Sequence, residues 1–245
     1  MNNKGFSKVD ALFFAKLSKD AYLSVSEFDD AYFEDYDIHF FDNKGSQCYA
    51  LWDDTDLIYV FRGTEPTEFA DIKADLRFHK VQSDGIGKVH RGFKGALDVL
   101  WDDISYHHKK HIEGRNLYLS GHSLGAALAT IAASRIGDEN TIGYTYGSPR
   151  VGNTTFKKAF TPKFFRFRNN NDIVTRNPFE FVGFDHVGHL NYFDNKGNHR
   201  HGFSRFYMFK QYMIGMLGGF LRFEIDSFRD HSSSKYQELC EKNLK

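Results

Sequence analysis

Three features of the sequence predict an α/β fold built on a mostly parallel sheet: short β-prone runs that end in turn residues, helical patterns between them, and a length suited to one large core. The runs are residues 57–61 before Arg62-Gly63-Thr64, 117–120 before Gly121, 141–146 before Gly147 and 164–167 before Asn169. Helical patterns over 94–102 and 124–136 alternate with them, and β-α alternation lays strands side by side in parallel. At 245 residues the chain suits one domain, 1–245, because α/β folds of about 200 to 250 residues fold as a unit.

Taken in order, the first element is a helix over 8–24, where apolar residues recur at helical spacing. The string FDNKG occurs at 41–45 and again at 193–197, each time between aromatic-rich runs. Asp, Asn and Gly supply hairpin-turn conformations, so these are two hairpins and not a duplication. No repeat, low-complexity tract or linker divides the chain. In such a sheet, chemistry collects beyond the carboxyl ends of the parallel strands, where Thr64, Ser123 and Asp172 fall.

Composition excludes several partners. Lys plus Arg and Asp plus Glu number 32 each, so no global field draws in nucleic acid or an acidic surface. The 26 phenylalanines and 4 prolines favour packed aromatic cores over disordered linkers. Asp10 and Lys16 interrupt the first apolar run and no small-residue cleavage pattern follows, so a secretory leader is not apparent; a cytoplasmic location is favoured, with export by another route open. Cys48 and Cys240, far apart in sequence, fit a reducing compartment better than a disulfide scaffold.

The chemistry centres on GHSLG at residues 121–125. It follows an apolar, strand-like run and opens an alanine-rich helix, the strand-turn-helix context that a nucleophile elbow requires. Gly121 and Gly125 let the helix cross close to the strand, and the sharp turn exposes Ser123. A serine hydroxyl is a weak nucleophile at neutral pH, so a histidine and a carboxylate must accompany it. On this architecture they follow in the order Ser, Asp or Glu, His. Asp172, in a loop after an aromatic strand, suits the acid, with Asp185 as rival. Spacing alone does not choose among His186, His189, His199, His201 and His231.

VFRGT (60–64), HRGF (90–93), GHSLG (121–125), YTYGSPRVGN (144–153) and NDIV (171–174) together resemble the class 3, fungal-type lipase family. The resemblance runs from about Val60 to the C-terminus. It implies an α/β-hydrolase fold with a short lid segment, and cleavage of acylglycerols and related esters by a Ser-Asp-His triad. Ser123 and Asp172 carry over directly. For the base, the family's Asp-His with a tyrosine a few residues on is matched by Asp230-His231 and Tyr236, leaving His186 and His189 as the alternatives. Leu124 would give a backbone N–H to the oxyanion hole. Thr64, the hydroxyl residue after Arg-Gly, would give the second donor, and Asp75 would hold its hydroxyl. The chain departs from the pattern at 65–73, EPTEFADIK, where an acidic stretch replaces the usual lid and Ile72 stands where a tryptophan is common. Phe69, Ile72 and Leu76 still recur at helical spacing.

Other signals call for simpler readings. His107 and His111 lie four apart, but no third ligand is evident, and a solvated helix face accounts for them. His199 and His201 fit a solvated strand end. Cys48, beside Tyr49 and Trp52, reads as core. The apolar run from Phe206 to Phe223 is broken by Lys210 and Gln211 and is too short to cross a bilayer. It suits a buried helix and loop, or else a lipid-facing element beside His231. The resemblance implies a lipid or other ester as substrate, with transient contact with lipid surfaces, no cofactor and no metal.

Overall fold

A computed structural model of the chain describes residues 5–32, 34–64, 79–200 and 229–244. Eight strands form one sheet: β1 (Asp37–Asn43), β2 (Ser46–Trp52), β3 (Asp56–Phe61), β6 (Asn116–His122), β7 (Ile142–Tyr146), β8 (Lys163–Asn169), β9 (His189–Phe193) and β10 (His199–Arg200), in that spatial order. The run from β3 through β9 is parallel, and antiparallel hairpins close both edges. A separate ribbon pairs β4 (Lys80–Gln82) with β5 (Lys88–His90). Both FDNKG strings form turns. Lys44 and Gly45 take positive φ (49° and 79°) between β1 and β2, the pair of left-handed residues a two-residue hairpin needs. Asp194, at the second, accepts the N–H of Lys196 and Asn198.

The central strands are buried on both faces, as parallel strands between helical layers must be; every residue of β3 and β7 is buried. Helices α1 (Lys8–Asp20), α2 (Val25–Tyr32) and α6 (Ser233–Lys242) belong to one side, and α3 (Arg91–His111) and α4 (Leu124–Ile136) to the other. Short α5 (Thr154–Ala159) adds Phe156 to the second layer. The first layer absorbs much of the aromatic content: Phe14 stacks on Tyr144 at 5.0 Å and Phe28 on Tyr49 at 3.8 Å.

Two expectations need correction. The first helix ends at Asp20, and a turn over 21–23 leads into α2, so the 8–24 pattern joins two elements. Helix α3 starts earlier and ends later than 94–102: His90 caps its start by accepting the N–H of Gly92 and Phe93, and the helix runs on to His111. That length carries His107 onto the sheet. It is buried, stacked on His111 at 4.3 Å and bonded through Nδ1 to the Tyr59 hydroxyl at 2.9 Å. Burial, aided by His111 and His39, lowers its pKa to about 4. Its side is therefore not a solvated face. Cys48 is core, as read. The lid segment with Phe69, Ile72, Asp75 and Leu76, and the run from Phe206 to Phe223, lie outside the described residues, as does His201.

Helix α4 crosses β3 and β6 at close range. A Cβ on Gly121 would stand 2.5 Å from the Gly125 carbonyl carbon, and one on Gly125 would overlap the Phe61 carbonyl oxygen. Both obstacles are backbone, which cannot rotate aside. Gly125→Ala is expected to cost about 1–3 kcal/mol or more as overpacking, read as a lowered urea midpoint at unchanged m-value; a wild-type midpoint would mean that the helix has room to shift.

Candidate active site

Ser123 sits between the last residue of β6 and the first of α4 with φ 58° and ψ −124°. A non-glycine residue in this region is strained, and such strain persists only where the surroundings over-determine it. Here the Ser123 N–H is held by the Tyr146 carbonyl at 3.0 Å, while the Ser123 carbonyl accepts the Ala126 N–H at 3.1 Å. The turn thrusts the side chain beyond the carboxyl end of β6.

His231 precedes α6 and Asp172 follows β8, and the three meet although 108 and 59 residues separate the bonded pairs. Ser123 Oγ lies 2.8 Å from His231 Nε2, and His231 Nδ1 lies 3.0 and 3.1 Å from the Asp172 oxygens. A carboxylate only accepts, so Nδ1 carries the hydrogen and the Nε2 lone pair faces the serine hydroxyl. All three residues are buried. Burial opposes charge on Asp172. The charge and hydrogen bond of His231 and the Tyr236 hydroxyl, which donates at 2.6 Å, outweigh it and hold the carboxyl below its ordinary value. The Val174 N–H adds a bond at 2.9 Å.

The loops bearing Asp172 and His231 are tied together. Asp230, next to His231, accepts the Asn171 N–H at 3.2 Å, and its backbone carbonyl accepts the Asn169 side-chain amide at 3.0 Å. Tyr236 serves two loops at once, accepting the Asn169 N–H at 2.9 Å while donating to Asp172. Gly147, at φ 60°, leaves room for the pair: a Cβ there would stand 2.8 Å from His231 Cε1.

His122 was not singled out from the sequence, although it lies inside GHSLG. Its Nε2 lies 2.5 Å from the His231 carbonyl oxygen, which can only accept, so Nε2 donates and Nδ1 accepts the Tyr22 hydroxyl at 3.0 Å. Burial, with the nearby His231, lowers its pKa to about 3. His122 is thus a neutral strut from the N-terminal segment to the backbone of His231.

The rival candidates lie elsewhere. Asp185 binds Thr154 at 2.6 Å and Lys157 at 3.1 Å. His186 Nε2 bonds the Thr175 carbonyl at 2.8 Å. His189 opens β9, paired with Phe165 and exposed, and His199 faces Asn191 at 3.0 Å. Thr64 follows Gly63, where a Cβ would stand 3.3 Å from Ser123 Cβ, so its loop passes alongside the serine. Leu124 is the first residue of α4, where no earlier turn supplies an acceptor for its N–H. Among the described residues no group of three His, Cys, Asp or Glu side chains is placed to hold a metal ion.

Comparison with known proteins identifies the family and the fold. Residues 58–182 match the family model described as Lipase (class 3). Secreted mono- and diacylglycerol lipase A of Penicillium cyclopium is 38% identical over 105 residues, covering 39% of this chain and 34% of that protein. Phospholipase A1-II 1 of Oryza sativa subsp. indica is 41% identical over 76 residues, 27% of this chain and 19% of that one. The matched stretch thus spans about a third or less of these relatives' length. The Rhizomucor miehei triacylglyceride lipase structure superposes with a TM-score of 0.66 at 23% identity, covering 77% of this chain and 81% of that chain. The folds are the same.

The neutrality of His122 has a measurable signature. Unfolded, it binds a proton below about pH 6.5; folded, it resists protonation down to about pH 3. The unfolded state therefore binds more protons across that window, and stability falls on acidification by about 1.4 kcal/mol per pH unit for this one group. His122→Gln keeps a donor near the Nε2 position and removes the titration. Urea unfolding between pH 6 and 4 is expected to show a slope shallower by that amount; an unchanged slope would contradict a neutral, buried His122.

Proposed function

Because this chain belongs to the class 3 lipase family, we propose that it hydrolyses acylglycerol-type carboxylic esters through an acyl-enzyme formed on Ser123. The observation that carries the reading is the continuous path from Ser123 Oγ to His231 at 2.8 Å and on to Asp172 at 3.0 Å. His231 takes the serine proton as Oγ attacks the ester carbonyl, and Asp172 keeps the imidazole oriented and balances its charge. The carbonyl oxygen becomes an oxyanion held by the Leu124 N–H and by Thr64, each such donor contributing about 3 kcal/mol to the barrier reduction. His231 then protonates the departing alcohol, and water releases the acid by the same steps reversed. Asp75 would hold the Thr64 hydroxyl, as the family resemblance implies. The mechanism calls for no cofactor or metal. One domain, 1–245, carries it.

Lipid-surface contact is part of this reading. Phe179 and Phe181, 42% and 84% exposed, stack at 5.2 Å within ten residues of Asp172; exposed aromatic pairs of this kind suit an apolar interface. No helix among the described residues is long and apolar enough to cross a membrane. Buried, unpaired Cys48 and Cys240 favour a cytoplasmic location, whereas the Penicillium relative is by name secreted; fractionation of the expressing cells decides this. The rice relative's name supports a second reading, a phospholipase A1. A short-chain esterase would share the same machinery, and a non-catalytic lipid-binding module of this fold would need none of it.

On a p-nitrophenyl ester, Ser123→Ala and His231→Ala are expected to reduce turnover by about 10⁶ and Asp172→Asn by about 10⁴, with His189→Ala near wild type. Fluorophosphonate should label Ser123. An unlabelled wild-type chain would favour the binding module, and loss of turnover in His189→Ala with His231→Ala active would move the base. Rates across acyl chains of rising length separate a lipase from an esterase, and phosphatidylcholine tests the phospholipase reading.

A further inference from the structure

Strand β8 turns Phe165 and Phe167 into the aromatic layer and, by the alternation of a strand, Arg166 and Arg168 to the opposite face. They lie in register with Leu190 and Tyr192 of β9. Arg166 is only 8% exposed. A charge this deep in a sheet ordinarily meets a carboxylate, yet none of the described carboxylates reaches it, and the Nε atoms of Arg166 and Arg168 are enclosed without a partner. Its charged neighbours are instead cations: burial and the charges of Arg168 and Arg150 lower its pKa to about 9.

Arg150 is fixed over the same region, its guanidinium donating to the carbonyls of Arg176 and Pro178 and its N–H to that of Asn177. Two carboxylates act on Arg150: Glu180, 3.9 Å away with a side chain 60% exposed, and Asp185, already bonded to Lys157 and Thr154. The charges of Arg166, Arg150 and Arg168 reach His186, and together with burial, the larger effect, they hold it neutral. The cluster carries an excess of positive charge in a low-dielectric setting, with planar forks matched to multi-oxygen anions.

We propose that Arg150, Arg166 and Arg168 form a binding site for a tetrahedral oxyanion of the phosphate class. Several cations favour a multiply charged tetrahedral group over a single carboxylate. The site lies one loop behind Asp172: His186 Nε2 donates to the Thr175 carbonyl at 2.8 Å, and Thr175 Oγ1 donates to the Asp172 carbonyl at 2.8 Å. It is separate from the Ser123 centre and stands whether or not Ser123 cleaves an ester. The phosphate can be a free ion or part of a lipid headgroup.

The test is thermal unfolding of the full chain in inorganic phosphate against chloride at equal ionic strength. A ligand at a hundredfold its Kd should raise Tm by roughly 5 to 10 °C in a chain of this size, with the shift lost in Arg166→Gln and in Arg168→Gln; the second variant decides if the first does not fold. A shift with phosphate but not with glycerophosphocholine, and no binding to phosphatidylglycerol vesicles, assigns the free ion. Shifts with both soluble probes, and vesicle binding lost in the same variants, assign the headgroup. No shift with either probe, or equal shifts in wild type and both variants, overturns the site.

Discussion

A carboxylate with no solvent contact is the constraint around which the site is organised. Asp172 is fully buried and kept ionised, and a charge in that position persists only when its acceptor positions are filled. The imidazole of His231, the hydroxyl of Tyr236 and the N–H of Val174 fill them. That requirement brings α6 against the end of β8, because Tyr236 and His231 lie at the start of that helix and immediately before it. Removing the Tyr236 hydroxyl would release two bonds, since it also holds the backbone of Asn169.

Two imidazoles then share a small space. The rings of His122 and His231 lie 4.5 Å apart, too close for both to carry charge without strong repulsion in a buried setting. The structure separates their roles by hydrogen bonding. His231 gives its Nδ1 hydrogen to a carboxylate, while His122 gives its Nε2 hydrogen to a neutral carbonyl and stays uncharged. Of the two, only His231 has a carboxylate bonded to its ring.

Asp172 and Arg166 make an instructive contrast. Both are buried, Arg166 in the middle of β8 and Asp172 in the loop that follows it. One is surrounded by matched donors; the other faces only like charges among the described residues. The aromatic layer explains why the burial is so complete on one side, since Phe165 and Phe167 pack beneath α1 and α6 with Tyr144 and Tyr146. On the opposite side of β8 only Phe164 supplies a ring, and Arg166 and Arg168 follow it along the strand.

Much of this could be read along the chain because it depends on local rules. GHSLG demanded a strand, a sharp turn and a helix, and the glycines on both sides of Ser123 had a steric reason that needed no partner. The parallel strands were visible as apolar runs ending in turn residues, and both FDNKG turns by their Asn and Gly. What lay beyond reach were contacts set by packing between distant segments. Periodicity could not show that α3 runs on to bury His107, nor that Tyr22 and His122 meet across 100 residues. Residues alone left five histidines and two aspartates as candidates, and only a family resemblance narrowed them. The sequence by itself determined the serine set between two glycines, the strand-turn-helix that strains it and the α/β architecture, because each follows from backbone sterics within a few residues. Only the tertiary structure decided which imidazole and which carboxylate meet it, because hydrogen bonds between remote loops depend on how the helices pack.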